Sequence, residues 1–199
     1  MQTASLTNEY RNVRAIKGSI RYINEATASG HIPHIYYLTE TWWESDTQPT
    51  LHEYSPIAHI LATREFVRGR AKGGISVYKH KSCKLPTRRI PLSKQLDNAI
   101  AISIGGEENE KGNTLILAYY FAAASDEATM KYFNRLAEEI AYFEALGYNT
   151  FLMGDGNANR GKDGEPRASN YAAEAMILAE KEAGMTWLCP ESEGACFTR

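Results

Sequence analysis

The chain has 199 residues, of which 43% are hydrophobic and 11% aromatic, so we expect one domain, or most of one, with a sizeable core. Its net charge of −2 excludes the overall basic character of many nucleic-acid-binding proteins. The N-terminus lacks a signal peptide's apolar core, the longest apolar run is too short to cross a bilayer, and the 3 cysteines lack zinc spacing. We therefore expect a soluble intracellular protein, nuclear or cytoplasmic, with reduced thiols and no membrane contact.

The first half of the chain predicts a helix followed by strands. Isoleucines 16, 20 and 23 recur at helical spacing and predict a helix to about Ala28, with Gly30 as its stop. A β-rich run at residues 34–38 leads to Glu40, an acid at the exit of a buried strand. After a polar loop, apolar patterns predict strands at residues 57–62 and 74–79.

The second half predicts further strands and two longer helices. Strands at residues 99–104 and 115–121 are separated by a Gly-rich acidic turn, which indicates antiparallel pairing. A helix with an apolar stripe runs from residue 125 or 126 to Gly147, a strand follows to Met153, and a second helix spans residues 170–183. Short strands are then predicted at residues 185–188 and from 197. Such a mixture favours an α+β fold with two sheets packed face to face and helices outside.

Positive charge is concentrated between Arg64 and Arg89, which include 9 lysines and arginines and a single acid, Glu65. Such a run is either a surface that faces phosphates or only a solvated face. Strand alternation allows just a subset of these side chains to face one way.

A second signal follows the strand that ends at Met153, where the chain reads Gly154-Asp155-Gly156-Asn157. Asp155 and Asn157 are two residues apart, so in an extended backbone they point to one side. The carboxylate accepts a proton and the carboxamide donates hydrogen bonds to an anion, although the same residue types also make plain turns.

Four segments occur together in the order and spacing of one known family: Asn-Val-Arg at 12–14, Leu-Thr-Glu-Thr-Trp at 38–42, Gly-Gly-Ile-Ser-Val-Tyr at 73–78, and Gly-Asp-Gly-Asn-Ala at 154–158. The chain resembles the endonuclease/exonuclease/phosphatase superfamily, in particular the apurinic-endonuclease-like endonuclease domain of non-LTR retrotransposon reverse transcriptases. The final Cys-Phe-Thr-Arg at 196–199 also resembles that group. This resemblance implies a four-layered, DNase I-like α/β-sandwich over residues 1–199, a single domain incomplete at its C-terminus.

The resemblance also implies roles for individual residues. Glu40 matches the family's metal-binding glutamate, and Asn12 matches the asparagine that supports the metal and phosphate end. Asp155 matches the aspartate that orients or deprotonates the attacking water, and Asn157 the asparagine that binds phosphate oxygens. The implied cofactor is Mg²⁺, or Mn²⁺, which favours one or two carboxylates plus water and substrate phosphate.

Further contacts with the substrate are expected from tyrosine and from the basic run. Either Tyr119 or Tyr120 matches the tyrosine that hydrogen-bonds the phosphate, and Arg70 and Lys72 are the expected substrate-binding cations. We therefore predict Mg²⁺-dependent cleavage of DNA by a retroelement-type endonuclease, with DNA and the remainder of a larger retroelement polyprotein as partners.

The chain departs from the family pattern in three places. The prolines expected after the tyrosine are Ala122 and Ala123, and Gly156 replaces a bulky apolar residue. The family's Ser-x-x-Asp segment and terminal Asp-His pair have no counterpart, so we expect weak or lost activity. One alternative is a non-catalytic remnant with at most weak nucleic-acid binding. The other is a phosphatase or lipid phosphodiesterase of the same superfamily.

Overall fold

The computed structural model describes residues 6–63, 71–93, 96–106, 113–121, 125–156 and 171–185. These residues form eight strands and three helices. Their order is β1 (Asn8–Asn12), α1 (Ile16–Ala28), β2 (Ile35–Thr39), β3 (Tyr54–Ile60), β4 (Ile75–His80), β5 (Thr87–Ile90), β6 (Ala99–Ile104), β7 (Thr114–Tyr120), α2 (Asp126–Ala145), β8 (Asn149–Asp155) and α3 (Tyr171–Glu182). No helix in these ranges is long and apolar enough to cross a membrane.

The strands form two mixed four-stranded sheets, in the orders β1-β2-β4-β3 and β5-β6-β7-β8. β1 pairs with β2 in parallel and β7 pairs with β8 in parallel, while the other neighbours are antiparallel. In these orders β1 and β8 are edge strands among the described strands. Each ends at a candidate site residue, Asn12 in β1 and Asp155 in β8.

The molecule has four layers: helix α1, the first sheet, the second sheet, and helices α2 and α3. Side chains alternate along the strands and fill the three interfaces between these layers. Buried side chains between α1 and the first sheet include Ile16, Ile23, Tyr36, Leu38 and Tyr78. Those between the two sheets include Ile35, Tyr37, Val77, Ile102 and Ile116. Those between the second sheet and helices α2 and α3 include Leu117, Tyr119, Phe133, Phe143 and Met176. The α+β sandwich expected from the sequence is thus confirmed.

Most predicted elements are present, and two strands were missed. The three helices lie within a few residues of their predicted bounds, and β3 begins at Tyr54, three residues before the predicted start. β1 and β5 were not predicted, because neither has an apolar stripe: β1 reads Asn-Glu-Tyr-Arg-Asn and β5 reads Thr-Arg-Arg-Ile. The strands predicted at 185–188 and from 197 fall on positions outside the described residues, apart from Met185, which is in no strand.

Candidate active site

The carboxyl ends of four strands meet at one end of the sandwich. Asn12 ends β1 and lies in register with Thr39, which ends β2. In the second sheet, Asp155 ends β8 and lies in register with Tyr120, which ends β7. Parallel pairing within each sheet therefore brings residues that are far apart in the sequence to the same end.

A hydrogen bond from Asn12 to Asp155 joins the two sheets at this end. The Asn12 amide Nδ2 donates to Asp155 Oδ2 at 2.7 Å, across 143 positions of sequence. Asp155 is only 5% exposed, whereas Asn12 is exposed to solvent. The amide nitrogen can only donate, so Asp155 acts here as an acceptor, and the Asn12 carboxamide oxygen points away from this bond.

Glu40 follows β2 directly and lies at the same end. Its carboxyl side chain is half-buried, and its backbone φ of 55° lies in the left-handed region that non-glycine residues rarely adopt. The Ala15 amide donates to the Glu40 carbonyl at 2.8 Å, which ties this turn to the segment after β1. The Trp42 indole Nε1–H donates to Glu40 Oε2.

Tyr10 is a site residue that the sequence reasoning missed. Its hydroxyl shares a 2.8 Å hydrogen bond with Thr39 Oγ1. Burial raises the pKa of this phenol, and the charges of Asp155 and Glu40 raise it further. The alternation Asn8, Tyr10, Asn12 could have indicated one inward-facing polar edge.

The two candidate tyrosines lie on opposite faces of β7. Tyr119 packs on the helical side, where its hydroxyl donates to Met176 Sδ at 3.2 Å in a buried contact. Tyr120 belongs to the core between the sheets, and its ring lies 3.3 Å from the position of a Cβ built on Gly73. Tyr120 is therefore on the face that carries Asp155, and Tyr119 is on the other.

Both glycines beside Asp155 are tightly packed, and at Gly154 there is no room for a Cβ. A Cβ at Gly154 would lie 2.3 Å from the Tyr119 ring and 2.4 Å from its carbonyl oxygen. A Cβ at Gly156 would lie 3.2 Å from both Met176 Sδ and the Tyr119 hydroxyl. The space beside Gly156 is thus bordered by side chains from β7, α2 and α3.

The basic run is divided by the fold. Lys72 is exposed beside Gly73 at the candidate site, whereas Lys79 and Lys81 lie toward the carboxyl end of β4, at the opposite end of the sandwich. There the Lys79 ammonium donates to the Leu85 carbonyl at 2.5 Å, and Lys81 pairs with Glu53 at 3.4 Å. Two expected substrate-binding residues, Arg70 and Asn157, lie outside the described residues.

A groove leads away from this end between the edges of β3 and β5. Its volume is about 690 Å³, and its lining includes Thr63, Arg89, Asp97 and Asn98. The Asn98 carbonyl accepts a hydrogen bond from the Tyr120 amide at 2.9 Å, so the groove begins beside the candidate site.

The oxygen donors at this end suit a hard divalent cation. Glu40 supplies a carboxylate and Asn12 a carboxamide oxygen, and both are ligand types that Mg²⁺ accepts together with water and substrate phosphate. Within the described ranges, no group of three or more His, Cys, Asp or Glu residues is arranged to hold a metal by itself.

No protein-family model matches the chain, and no curated protein matches it in sequence. Solved structures do match its fold. Three of them are the AP endonuclease LMAP from Leishmania major (TM-score 0.67, 13% identity), the Xenopus laevis APE2 catalytic domain (0.60, 13%) and the human Nocturnin catalytic domain with a bound sulfate anion (0.55, 14%).

The matches extend over most of this chain but not over the whole of the matched structures. They cover 89%, 86% and 85% of this chain and 66%, 67% and 64% of LMAP, APE2 and Nocturnin, respectively. The chain thus spans about two thirds of the length of each of these three structures. At these identities the similarity establishes the fold alone, which is a DNase I-like α+β sandwich.

Proposed function

We propose that this chain hydrolyses phosphodiester bonds in DNA with the help of a divalent cation, as an endonuclease of retroelement type. The observation that carries the proposal is the 2.7 Å hydrogen bond from Asn12 to Asp155. It fixes a nearly buried carboxylate beside an exposed carboxamide, at the end of the sandwich where Glu40 also lies. The four matching motifs and the fold support the same reading.

Glu40 and the Asn12 carboxamide oxygen would hold Mg²⁺ or Mn²⁺. When bound, such an ion neutralises charge that develops on the phosphate. The chain's own residues supply the other contributions. The bond to Asn12 prevents the Asp155 carboxylate from rotating, so that it can accept a hydrogen bond, and then a proton, from a water in line with the phosphorus.

Neutral hydrogen-bond donors would stabilise the equatorial phosphate oxygens. We assign this role to the Tyr120 hydroxyl rather than to Tyr119, because Tyr119 is bonded to Met176 on the far side of β7. Asn157 is the second proposed donor. The exposed Lys72 beside Gly73, with Arg70 upstream, would attract the DNA backbone toward the site, and the groove with Arg89 extends the same surface.

Two of the similar structures are consistent with a phosphate-containing substrate such as DNA. LMAP is an AP endonuclease, and the Nocturnin structure has a bound sulfate, an anion with the tetrahedral shape of a phosphate. We further propose that DNA is the physiological substrate and that the chain works with the remainder of a retroelement polyprotein, as the resemblance to that group implies.

Nicking of supercoiled plasmid tests this proposal, because a single break relaxes the DNA and is easily detected. We expect slow nicking, in line with the weak activity anticipated from the sequence, that requires Mg²⁺ or Mn²⁺, stops with a chelator, and is lost in Asp155→Asn. Asp46→Asn, a change at an exposed loop residue, is the matched control and should nick at the parental rate. If the protein hydrolyses phosphate monoesters or lipid phosphodiesters but does not nick DNA, the proposal is wrong, and the chain is a phosphatase or a lipid phosphodiesterase instead. A folded protein that cleaves none of these substrates would be the non-catalytic remnant.

A further inference from the structure

Unusual backbone geometry is concentrated in the two segments that follow β1 and β2. Four non-glycine residues there have positive φ: Arg14 at 42°, Ala15 at 92°, Glu40 at 55° and Trp42 at 50°. Such conformations are unfavourable for non-glycine residues, and strain of this kind clusters at functional sites. Glu40 and Trp42 are separated only by Thr41, so the turn after β2 holds two of the four.

Hydrogen bonds from both sides hold this turn in place. Amides of residues 15 and 16 donate to the carbonyls of Glu40 and Thr41 at 2.8 and 2.9 Å. On the other side, the Trp42 amide donates to the Gly73 carbonyl at 3.1 Å. Gly74 is closely fitted as well, since a Cβ there would lie 2.4 Å from Thr41 Oγ1.

The side chain of Trp42 contacts the carboxylate of Glu40 within this turn. Its indole Nε1–H donates to Glu40 Oε2, and an indole nitrogen can only donate. The bond therefore suits an ionised carboxylate, holds one of its oxygens, and leaves Oε1 in a fixed direction. Both residues of this contact have left-handed φ values, 55° at Glu40 and 50° at Trp42.

We propose that Trp42 is a positioning residue for Glu40: its indole N–H orients the carboxylate that receives the divalent cation. This inference rests on the proposed function, because it takes Glu40 as the cation's ligand. Groups that hydrogen-bond to metal ligands typically change metal affinity 10–100-fold when they are removed. Trp42 is predicted to act in this way without touching the cation or the DNA.

Binding of Mn²⁺ without DNA, measured by calorimetry or by electron paramagnetic resonance, tests the inference apart from activity. Trp42→Phe keeps an aromatic ring and removes the N–H, so affinity should fall about 10–100-fold. The matched control is Trp43→Phe, whose indole Nε1–H donates to the Thr47 carbonyl at 2.7 Å instead. That variant should bind Mn²⁺ within about twofold of the parent, since the hydrogen bond that it removes goes to Thr47 and not to Glu40.

A cycle with Glu40→Gln separates the two proposals. If Trp42 acts through Glu40, adding Trp42→Phe to Glu40→Gln should not weaken Mn²⁺ binding further. Equal weakening by Trp42→Phe in both backgrounds would mean a general structural role and would overturn the inference. The inference would also be overturned if Trp42→Phe bound Mn²⁺ with parental affinity while Glu40→Gln bound it weakly. Unchanged affinity in Glu40→Gln, or no binding by the parent, would overturn the assignment of Glu40 itself.

Discussion

At the scale of single residues, the site depends on atoms that leave no room for substitution. Gly154 lies directly before Asp155, and the ring of Tyr119 covers the place where its side chain would be. The Tyr119 ring therefore packs directly on the backbone of β8, one residue before the carboxylate that we take to be catalytic.

A methyl group at Gly154 should be costly. Gly154→Ala would place Cβ 2.3 Å from the Tyr119 ring, and we expect a loss of about 1–3 kcal/mol in the free energy of unfolding. The matched change is Gly18→Ala in α1, where nothing lies within 4 Å, and where alanine should stabilise by about 0.5–1 kcal/mol. Urea unfolding of both variants measures the difference. Equal effects of the two changes would contradict this packing argument.

Tyr37 carries a buried hydroxyl that has no hydrogen-bond partner in the described structure. An unsatisfied buried polar group costs about 1–3 kcal/mol, so Tyr37→Phe should raise the free energy of unfolding. Tyr78→Phe is the control, because that hydroxyl donates to the Pro49 carbonyl at 2.8 Å and its loss should destabilise. Denaturant midpoints of the two variants should therefore move in opposite directions, and movement in the same direction would count against this reading.

At the scale of elements, apolar periodicity predicted the three helices and the central strands, but it could not predict β1. Asn8, Tyr10 and Asn12 direct polar groups toward the second sheet, so β1 lacks the pattern by which buried strands are recognised. The contact between Asn12 and Asp155 spans 143 positions, and no local spacing carries such information. Only the resemblance to a known family placed these two residues in one site before the fold was available.

The edge strand β8 exposes a large apolar side chain. Phe151 is 47% exposed, and β8 pairs only with β7 among the described strands. Unpaired apolar edges promote association between chains. We expect Phe151→Lys to reduce self-association, measured by light scattering over a range of concentrations. Tyr142→Lys on α2, at a residue that is also 47% exposed, is the control for added charge. Equal reductions by both changes would show that net charge, not the edge, is responsible.

At the scale of the whole molecule, buried tyrosines link stability to alkaline pH. Burial raises the pKa of Tyr10, Tyr37, Tyr54, Tyr78 and Tyr132 above the ordinary value of about 10. Above that pH the unfolded chain releases these protons while the native state retains them. The stability that depends on these groups is therefore complete below about pH 10 and falls as the pH rises further.

Each such tyrosine steepens the loss of stability by up to about 1.4 kcal/mol per pH unit. Urea unfolding at several values between about pH 8 and 11 should show a constant free energy of unfolding at first and a decline above about pH 10. Tyr37→Phe should make this decline less steep, because the variant has one fewer buried phenol whose proton is released on unfolding. A free energy of unfolding that stays constant through this range would contradict the burial of these hydroxyls.

The joint action of Asn12 and Asp155 in phosphodiester cleavage is tested most directly by plasmid nicking with Asn12→Ala, Asp155→Ala and the double variant. Each single change should slow nicking by about 10²–10³, because each removes a group that acts on the developing charge or on the attacking water. Since the two side chains share one hydrogen bond, the double variant should be no slower than the worse single variant. Losses that multiply in the double variant, or parental nicking by Asp155→Ala, would contradict a shared site at the junction of the two sheets.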